Sequence, residues 1–441
     1  MTRETPTVDL RIDARWIIPV EPADTVLENH SLMVHEGRIA DLLPTAVAAE
    51  RYTARATRTL EEHVLIPGLV NLHTHAAMAL MRGLGDDANL TEWLERHIWP
   101  TEMRFVSPEM VRDGTLLACA EMLRGGITCF NDMYFFPEAA AEAVMHAGMR
   151  AALGIIVVDF PSPYASDSED YIAKGLATRD ALRDEPLLSF CVAPHAPYSV
   201  SDGAFERVAT YAAELDLPIH IHLHETADEI RESLKRHGVR PLERLQRLGL
   251  LGPNLVGVHA VHLEPHEIAT LAADGCHVAH CPASNLKLGS GIPPITALRR
   301  AGVNVGLGTD GAASNNRLDL LGEMRLAALL ARGSAHDATA LPAAAALEMA
   351  TINPARALGL DHEIGSLILG KAADIVAIDL GSLELAPCYD PLSHLVYVAG
   401  REAVSHVWIR GELKVDNGEL TSLETEPLKA KAVHWRDRIR G

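Results

Sequence analysis

Apolar and polar residues alternate in two different ways along the chain. Near both ends, over about residues 8–62 and 371–418, short runs alternate every second residue, which predicts β-strands with one buried face. Between them, apolar runs of about five to eight residues alternate with longer helical segments, as in a parallel sheet covered by helices. The pattern therefore predicts an α/β fold in which both chain ends form one small β domain.

The central part contains a run of βα units that suits a barrel. Eight units over some 300 residues fit a closed (β/α)8 (TIM) barrel, and a doubly wound open sheet is the alternative. We predict a barrel over residues 64–371 and a small β-sandwich domain over residues 1–63 and 372–441, with a surface helix near 426–440. The eight predicted strands are Val64–Leu72, Ile127–Met133, Arg150–Val158, Leu187–Val192, Pro218–Leu223, Leu255–His259, His277–Cys281 and Val303–Gly308.

Nearly every predicted strand ends in polar residues that can bind a metal or move a proton. In a barrel the carboxyl ends of the strands meet at one face, which carries the active site. Buried His and Asp cost free energy unless they are paired or bound to a metal, so folding alone does not explain the pattern. The residues are His73, His75, Asn131, Asp132, His195, His220, His222, His224, Glu225, His259, His280, Asn285 and Asp310.

Three strand ends can supply the ligands of a metal. His73 and His75 are two residues apart on a strand, so both imidazoles face the same way, and Asp310 adds a carboxylate. Imidazole nitrogens with one carboxylate suit Zn²⁺ above all, with Fe²⁺ and Mn²⁺ as alternatives. A site with two metals would need a bridging group such as a modified Lys, and residues 187–198 contain no Lys, which favours one metal per subunit.

The fifth strand offers three histidines and leaves the remaining ligand open. His220, His222 and His224 alternate with apolar residues, so a regular strand would point all three the same way. His222 would place a ligand in the barrel and Glu225 on its rim, and His224 is the rival. These residues alone do not decide between them.

A metal-activated water needs a carboxylate to move its protons. Glu225 is the best candidate, with Asp310 sharing the proton of the water and His259 holding the attacking oxygen in place. The segment Gly306–Gly311 fits G-x-G-x-x-G, but Asp310 would face a pyrophosphate there, so a dinucleotide site is rejected. A non-catalytic metal or nucleoside binder is the second class of function, and it would require loss of these acids.

The composition of the chain limits the classes of binding partner and the cellular location that we expect. The net charge of -20 argues against nucleic acid and anionic membranes as partners. The six cysteines are scattered, which suits a reducing cytoplasm. The first residues show no secretory signal, and no apolar run is long enough for a membrane span. We expect a cytoplasmic enzyme. The sequence does not decide its oligomeric state, and a homodimer or higher homo-oligomer is possible.

Five segments together resemble the amidohydrolase superfamily. Within it, they are similar to the branch that deaminates 5'-methylthioadenosine and S-adenosylhomocysteine, which neighbours the guanine deaminases and triazine hydrolases. Residues 76–87 and 93–102 support the branch, and 365–374 resemble the join to the small β domain. The five segments are Pro67–His75, Pro194–Tyr198, His222–Thr226, His280–Gly289 and Leu307–Asn316.

The resemblance implies a set of roles. His73, His75, His222 and Asp310 would bind the metal, which settles the fifth strand in favour of His222. Glu225 would protonate purine N1 while hydroxide attacks C6, with His259 near that water. His195 would contact the base and Glu102 the ribose hydroxyls. The matching segments also make Trp93 and Ser314 candidate substrate contacts.

The loop after the third strand bears on the substrate. Residues 154–170 contain no Lys or Arg and carry Asp159, Asp167, Glu169 and Asp170. An acidic loop should repel the carboxylate of S-adenosylhomocysteine and tolerate a methylthio group or a hydroxyl. We therefore expect hydrolytic deamination of methylthioadenosine or adenosine in preference to S-adenosylhomocysteine. The nearest alternatives are a guanine or pterin deaminase and a triazine hydrolase.

Overall fold

The computed structural model describes residues 6–441, and within them the strands form two eight-stranded sheets. One sheet comes from both ends of the chain and the other from its middle, which confirms the predicted TIM barrel with a small β domain. Strands and helices are numbered in chain order. The strands of the end sheet are β1 (Thr7–Ile17), β2 (Leu27–His35), β3 (Arg38–Pro44), β4 (Thr53–Pro67), β13 (Ile375–Asp379), β14 (Val404–Ile409), β15 (Glu412–Asp416) and β16 (Glu419–Leu420).

The end sheet has the order β16-β15-β14-β13-β4-β1-β2-β3. β1 and β4 pair in parallel, and the other neighbours pair antiparallel. Alternate residues of these strands point to one buried core, which explains the period of two in the sequence. That core contains Ile12, Leu32, Leu65, Ile375 and Trp408.

The barrel strands follow one another in order and pair in parallel. The first and last strands come together where the Asp310 N–H donates to the His73 carbonyl at 2.9 Å. Gly308 permits this approach, because a Cβ there would lie 2.9 Å from the His73 backbone nitrogen. The strands are β5 (Leu69–Thr74), β6 (Ile127–Asp132), β7 (Arg150–Val157), β8 (Leu188–Pro194), β9 (Ile219–Leu223), β10 (Leu255–His259), β11 (His277–His280) and β12 (Asn304–Leu307).

The strand predicted over Val64–Leu72 is in fact two strands. Residues 64–67 end β4 and pair with β13 in the end sheet, and β5 begins the barrel at Leu69. Gly68 lies between them, where a Cβ would be 2.0 Å from the Thr128 hydroxyl oxygen. The chain crosses from one sheet to the other at this close approach. The domain boundaries near residues 63 and 372 stay predictions.

Helices surround the barrel, and α17 packs on α4 through Trp435, whose Nε1 donates to Asp113 at 3.0 Å. No helix within residues 6–441 is long and apolar enough to cross a membrane. A 3-10 helix spans Ala76–Met81 and a π-helix spans Leu94–Ile98. The α-helices are α1 (Thr45–Arg51), α2 (Leu90–Trp93), α3 (Trp99–Phe105), α4 (Pro108–Arg124), α5 (Pro137–Ala147), α6 (Ser168–Leu182), α7 (Asp202–Leu215), α8 (Ala227–His237), α9 (Pro241–Arg247), α10 (Pro265–Ala273), α11 (Pro282–Lys287), α12 (Ile295–Arg300), α13 (Leu320–Ala335), α14 (Ala343–Met349), α15 (Ile352–Ala357), α16 (Pro391–Tyr397) and α17 (Thr425–Arg440).

Candidate metal centre and active site

Four side chains from three strand ends converge at the carboxyl face of the barrel. The Nε2 atoms of His73 and His75 lie 3.3 and 3.4 Å from Asp310 Oδ1. The Nε2 of His222 lies 3.3 Å from the Nε2 of His73. All four residues are buried or nearly so. The sequence thus predicted residues that the fold does bring together.

The other ring nitrogens of these histidines are already engaged. Nδ1 of His75 lies 2.6 Å from the Met133 carbonyl, and Nδ1 of His222 lies 2.8 Å from the His195 carbonyl. A carbonyl accepts only, so each Nδ1 carries the proton and each Nε2 keeps its lone pair. His73 Nδ1 faces His220 Nε2 at 2.9 Å. Such outer partners are typical of metal-binding histidines, since they fix the ring and its tautomer.

The protonation states suit the binding of a cation. Burial lowers the pKa of His73 to about 4, so its ring is neutral at neutral pH. Burial raises the pKa of Asp310, but the nearby His73 and the other imidazoles around it bring it well below its usual range. Ser284 also donates to Asp310 Oδ2 at 2.6 Å. Burial likewise lowers the pKa of His222 well below its usual range, so His73 and His222 are neutral imidazoles beside one carboxylate.

The spacing of these donors can be compared with that of a real metal site. Ligands at about 2.1 Å from a tetrahedral zinc ion lie about 3.4 Å from one another. The three separations of 3.3 to 3.4 Å agree with this value. His73, His75, His222 and Asp310 would thus hold one divalent metal.

The rival histidine of β9 is directed away from this cluster. His224 follows the last residue of the strand and has a φ of 54°, so its side chain no longer follows the strand alternation. Its Nε2 accepts from the Leu242 N–H at 3.0 Å, and Glu267 lies 3.6 Å away. The expectation that His220, His222 and His224 all point the same way is therefore wrong for His224.

Left-handed backbone occurs at three of the strand ends around the site. His224, His259 and Asp310 have φ values of 54°, 71° and 60°. Such values are uncommon outside glycine and persist only where the surrounding structure enforces them. They turn the chain at the carboxyl ends of these strands, and after His224 the next residue, Glu225, lines the cavity.

Glu225 and His259 complete the inner part of the site. His259 Nδ1 lies 2.8 Å from Asn285 Oδ1, and its Nε2 lies 3.8 Å from Glu225 Oε2. His259 Nε2 also clusters with the metal-side nitrogens of His73 and His222. Burial raises the pKa of Glu225, which suits a carboxyl group that must both take up and release a proton.

The outer part of the pocket contains a second buried acid. Glu102, on α3, accepts a hydrogen bond from the Tyr134 hydroxyl at 2.8 Å. Burial raises its pKa to about 7, although the bond from Tyr134 acts in the opposite direction. Glu102 lines the same cavity as Glu225, so a ligand of that cavity meets an acid on two sides.

His195, Trp93 and Ser314 also line this cavity, as the sequence predicted. His195 Nδ1 bonds to Ser199 Oγ at 2.9 Å, and burial lowers the pKa of this imidazole to about 3. Trp93 Nε1 donates to the Leu84 carbonyl at 3.0 Å, so the indole contributes an apolar face. Ser314 donates to the Gly311 carbonyl at 3.1 Å and presents only lone pairs.

Some residues that shape the site have no signal of their own in the sequence. Tyr134, Ser284 and Ser199 each bond to a predicted site residue. Asn285, which the sequence predicted only as a polar residue at a strand end, bonds to His259. Ser284 and Asn285 lie inside the segment His280–Gly289, so the motif did indicate their neighbourhood. Hydroxyl and amide side chains are common on any strand end, and only the fold shows which of them meet an active side chain.

This geometry is that of a metal-dependent barrel enzyme, and the sequence profile of the Amidohydrolase family matches residues 64–414. The chain belongs to the amidohydrolase family, as its motifs predicted.

Individual relatives cover the whole chain. A protein of Teredinibacter turnerae named 5-methylthioadenosine/S-adenosylhomocysteine deaminase is 49% identical, over 99% of this chain and 98% of its own. The crystal structure of an adenosine deaminase from Xanthomonas campestris with bound zinc superimposes with a TM-score of 0.98 at 49% identity, covering 99% of both chains. Atrazine chlorohydrolase from Arthrobacter aurescens TC1, complexed with zinc, has a TM-score of 0.89 at 25% identity, covering 97% of this chain and 100% of its own.

Proposed function

We propose that the protein deaminates a 6-aminopurine nucleoside by hydrolysis, releasing ammonia and the inosine-type product. The observation that carries the proposal is one cavity in which Glu225 adjoins the candidate metal ligands and Glu102 lies on the outer side. The relatives named as deaminases at 49% identity support the same reaction. Zinc is the proposed metal, because nitrogen-rich tetrahedral sites suit it.

Each side chain has a defined part in this proposal. When bound, the metal supplies a water of lowered pKa as the nucleophile. Glu225 takes a proton from the water and delivers it to purine N1, while the water oxygen adds to C6. The remaining proton of the added oxygen then moves to the exocyclic nitrogen, the C6–N bond breaks with release of ammonia, and the C6 carbonyl forms. His259 and Asp310 orient the attack.

The remaining residues would bind the nucleoside. His195 lines the cavity. Ser199 Oγ donates to the Ala196 carbonyl at 3.2 Å, so it accepts from His195 Nδ1 at 2.9 Å, and His195 Nε2 keeps a lone pair for the base. Glu102 accepts hydrogen bonds from the ribose hydroxyls when it is ionised. Trp93 and Ser314 complete the wall around the ligand.

The binding of the nucleoside should weaken as pH falls through about 7. The carboxyl of Glu102 has a pKa of about 7, so it is neutral at pH 6 and ionised at pH 8. Only the ionised form accepts two hydroxyl hydrogens, and KM should therefore be about tenfold higher at pH 6 than at pH 8. Initial-rate measurements across this range test it. Glu102→Gln should have a higher KM that does not change with pH. If KM of the unchanged protein does not change between pH 6 and pH 8, Glu102 does not bind the ribose hydroxyls as proposed.

The structure gives a different reason for preferring an uncharged 5' substituent on the ribose of the nucleoside. Phe160 and Pro163, from the acidic loop, line an apolar cavity with Met103 and Phe135 beside Glu102. Two acids of the loop bond to the backbone instead: Asp159 accepts from the Ser201 N–H at 2.6 Å, and Asp167 caps α6. The apolar cavity suits a methylthio group, and none of the described residues that line it is a Lys or Arg that could pair with the carboxylate of S-adenosylhomocysteine.

We therefore expect methylthioadenosine to have the highest kcat/KM, followed by adenosine, with S-adenosylhomocysteine lowest. A buried charge without a partner typically costs several kcal/mol, so kcat/KM for methylthioadenosine should exceed that for S-adenosylhomocysteine by at least about tenfold. An ammonia-release assay over these three nucleosides measures the order. S-adenosylhomocysteine as the best substrate would overturn the assignment of the cavity.

The same assay separates the rival functions. Guanine, a pterin and a triazine are included as substrates of the alternative enzymes, and activity on one of these alone would replace the proposed reaction. Metal binding without any ammonia release would indicate a binder. Location in the cytoplasm and assembly into a homodimer or larger homo-oligomer remain predictions from the sequence.

A further inference from the structure

Glu229 is a buried carboxylate near the site with no part in the proposed chemistry. It lies in the first turn of α8 and is 5% exposed. Its Oε1 accepts from the N–H of His224 at 2.9 Å, and its Oε2 accepts from the N–H of Glu225 at 2.8 Å. Both oxygens thus bind consecutive backbone groups at the end of β9.

These bonds differ from the usual start of a helix. Thr226 is the N-cap of α8 and accepts from the Glu229 N–H at 3.2 Å, which fits the first half of a capping box. In a capping box the glutamate returns to the N-cap N–H. Here the Glu229 carboxylate reaches past Thr226 to the two preceding residues. One side chain therefore connects the helix start to the strand end.

The segment held in this way is strained and carries the proposed proton shuttle. His224 has a φ of 54°, a conformation that L side chains rarely adopt, and it turns the chain after Leu223. The carboxylate of Glu225 lies 3.8 Å from His259 Nε2, beyond hydrogen-bond length. Apart from the nearby Ser290 side chain, the direction of Glu225 thus depends on the backbone that precedes it.

We propose that Glu229 is a positioning residue that fixes the backbone of His224 and Glu225 and so aims the Glu225 carboxylate into the cavity. The contacts of Glu229 with the backbone of His224 and Glu225 are geometric observations. Only the expected effect of Glu229 on the reaction rate rests on the proposed function. In Glu229→Gln, one acceptor oxygen becomes an NH₂ donor that faces a backbone N–H, so one of the two bonds is lost.

The first test compares kinetics and metal content. Glu229→Gln should lower kcat by about 10- to 100-fold, the effect of a displacement of about 1 Å in a catalytic group, with KM within about threefold. Bound zinc should be unchanged, because Glu229 touches none of the proposed ligands. Glu232→Gln on the same helix, where Glu232 is partly exposed and pairs with Arg236, is the matched control and should behave like the unchanged protein.

The second test needs no activity. Crystal structures of the zinc-loaded protein and of Glu229→Gln should show the Glu225 carboxylate displaced by about 1 Å, with His73 and His75 in place. If that variant does not fold, Glu229→Asp, whose shorter side chain reaches only one N–H, should show a smaller displacement and a smaller loss of kcat.

The outcomes separate the two proposals. An unmoved Glu225 carboxylate, or an unchanged kcat in a folded variant, overturns the positioning role. A lowered melting temperature with normal kcat would mean that Glu229 is only structural. An unchanged protein that releases no ammonia from any nucleoside overturns the proposed function, and the two crystal structures still decide the role of Glu229.

Discussion

Glu225→Gln is expected to release ammonia about 10³-fold more slowly than the unchanged protein while it keeps its metal. General acid–base groups typically contribute 10²- to 10⁴-fold, and Glu225 would serve in both proton transfers of the reaction. Gln has nearly the same shape and still accepts a hydrogen bond, but it cannot take up or release a proton. The fold should remain intact, because Gln fills nearly the same space and the Glu225 carboxylate lies 3.8 Å from His259 Nε2, beyond hydrogen-bond length.

The experiment combines an ammonia assay under saturating nucleoside with metal analysis and thermal unfolding of each variant. Glu232→Gln is again a suitable control, since its carboxylate lies on the outer part of α8. A Glu225→Gln variant with kcat within tenfold of the unchanged protein would exclude Glu225 as the proton shuttle. Loss of both metal and activity would instead show that Glu225 supports the ligand set.

The candidate metal centre could largely be predicted because its signals are local. His73 and His75 are two residues apart on one strand, and parallel strands bring Asp310 to the same barrel face. Within this centre, periodicity failed where β9 stopped being regular. It predicted that His224 would face inward, but β9 ends at Leu223 and the left-handed backbone at residue 224 turns that ring outward.

The outer contacts could not be predicted because they join residues that are far apart in the sequence. Tyr134 reaches Glu102 across 32 positions, and Asn285 reaches His259 across 26. Likewise, the break of the predicted first strand at Gly68 depends on the Thr128 side chain of a neighbouring strand. Hydrophobic patterns report which face is buried, not which neighbour fills the space beside it.

His222 in β9 and His224 just after it provide the sharpest test of the metal site. His222→Asn should lose most of its bound zinc after dialysis, and its ammonia release should fall below detection. Removing one of four ligands leaves the metal weakly held, and the nucleophile depends on the metal. Asn retains a hydrogen-bonding side chain of smaller size, so the packing changes little. The melting temperature should drop by several degrees, because a ligand that binds only the folded state stabilises it.

His224→Asn is the matched control on the same strand end. Asn tolerates a positive φ better than most residues, so the turn after Leu223 should persist. The Leu242 N–H would lose its acceptor at His224 Nε2, a change that typically costs about 1–3 kcal/mol of stability. Zinc content should nevertheless stay near that of the unchanged protein, since this ring faces Leu242 and Glu267 instead of His73. Zinc lost from His224→Asn and retained in His222→Asn would reverse the two assignments, and with them the position of the metal relative to Glu225.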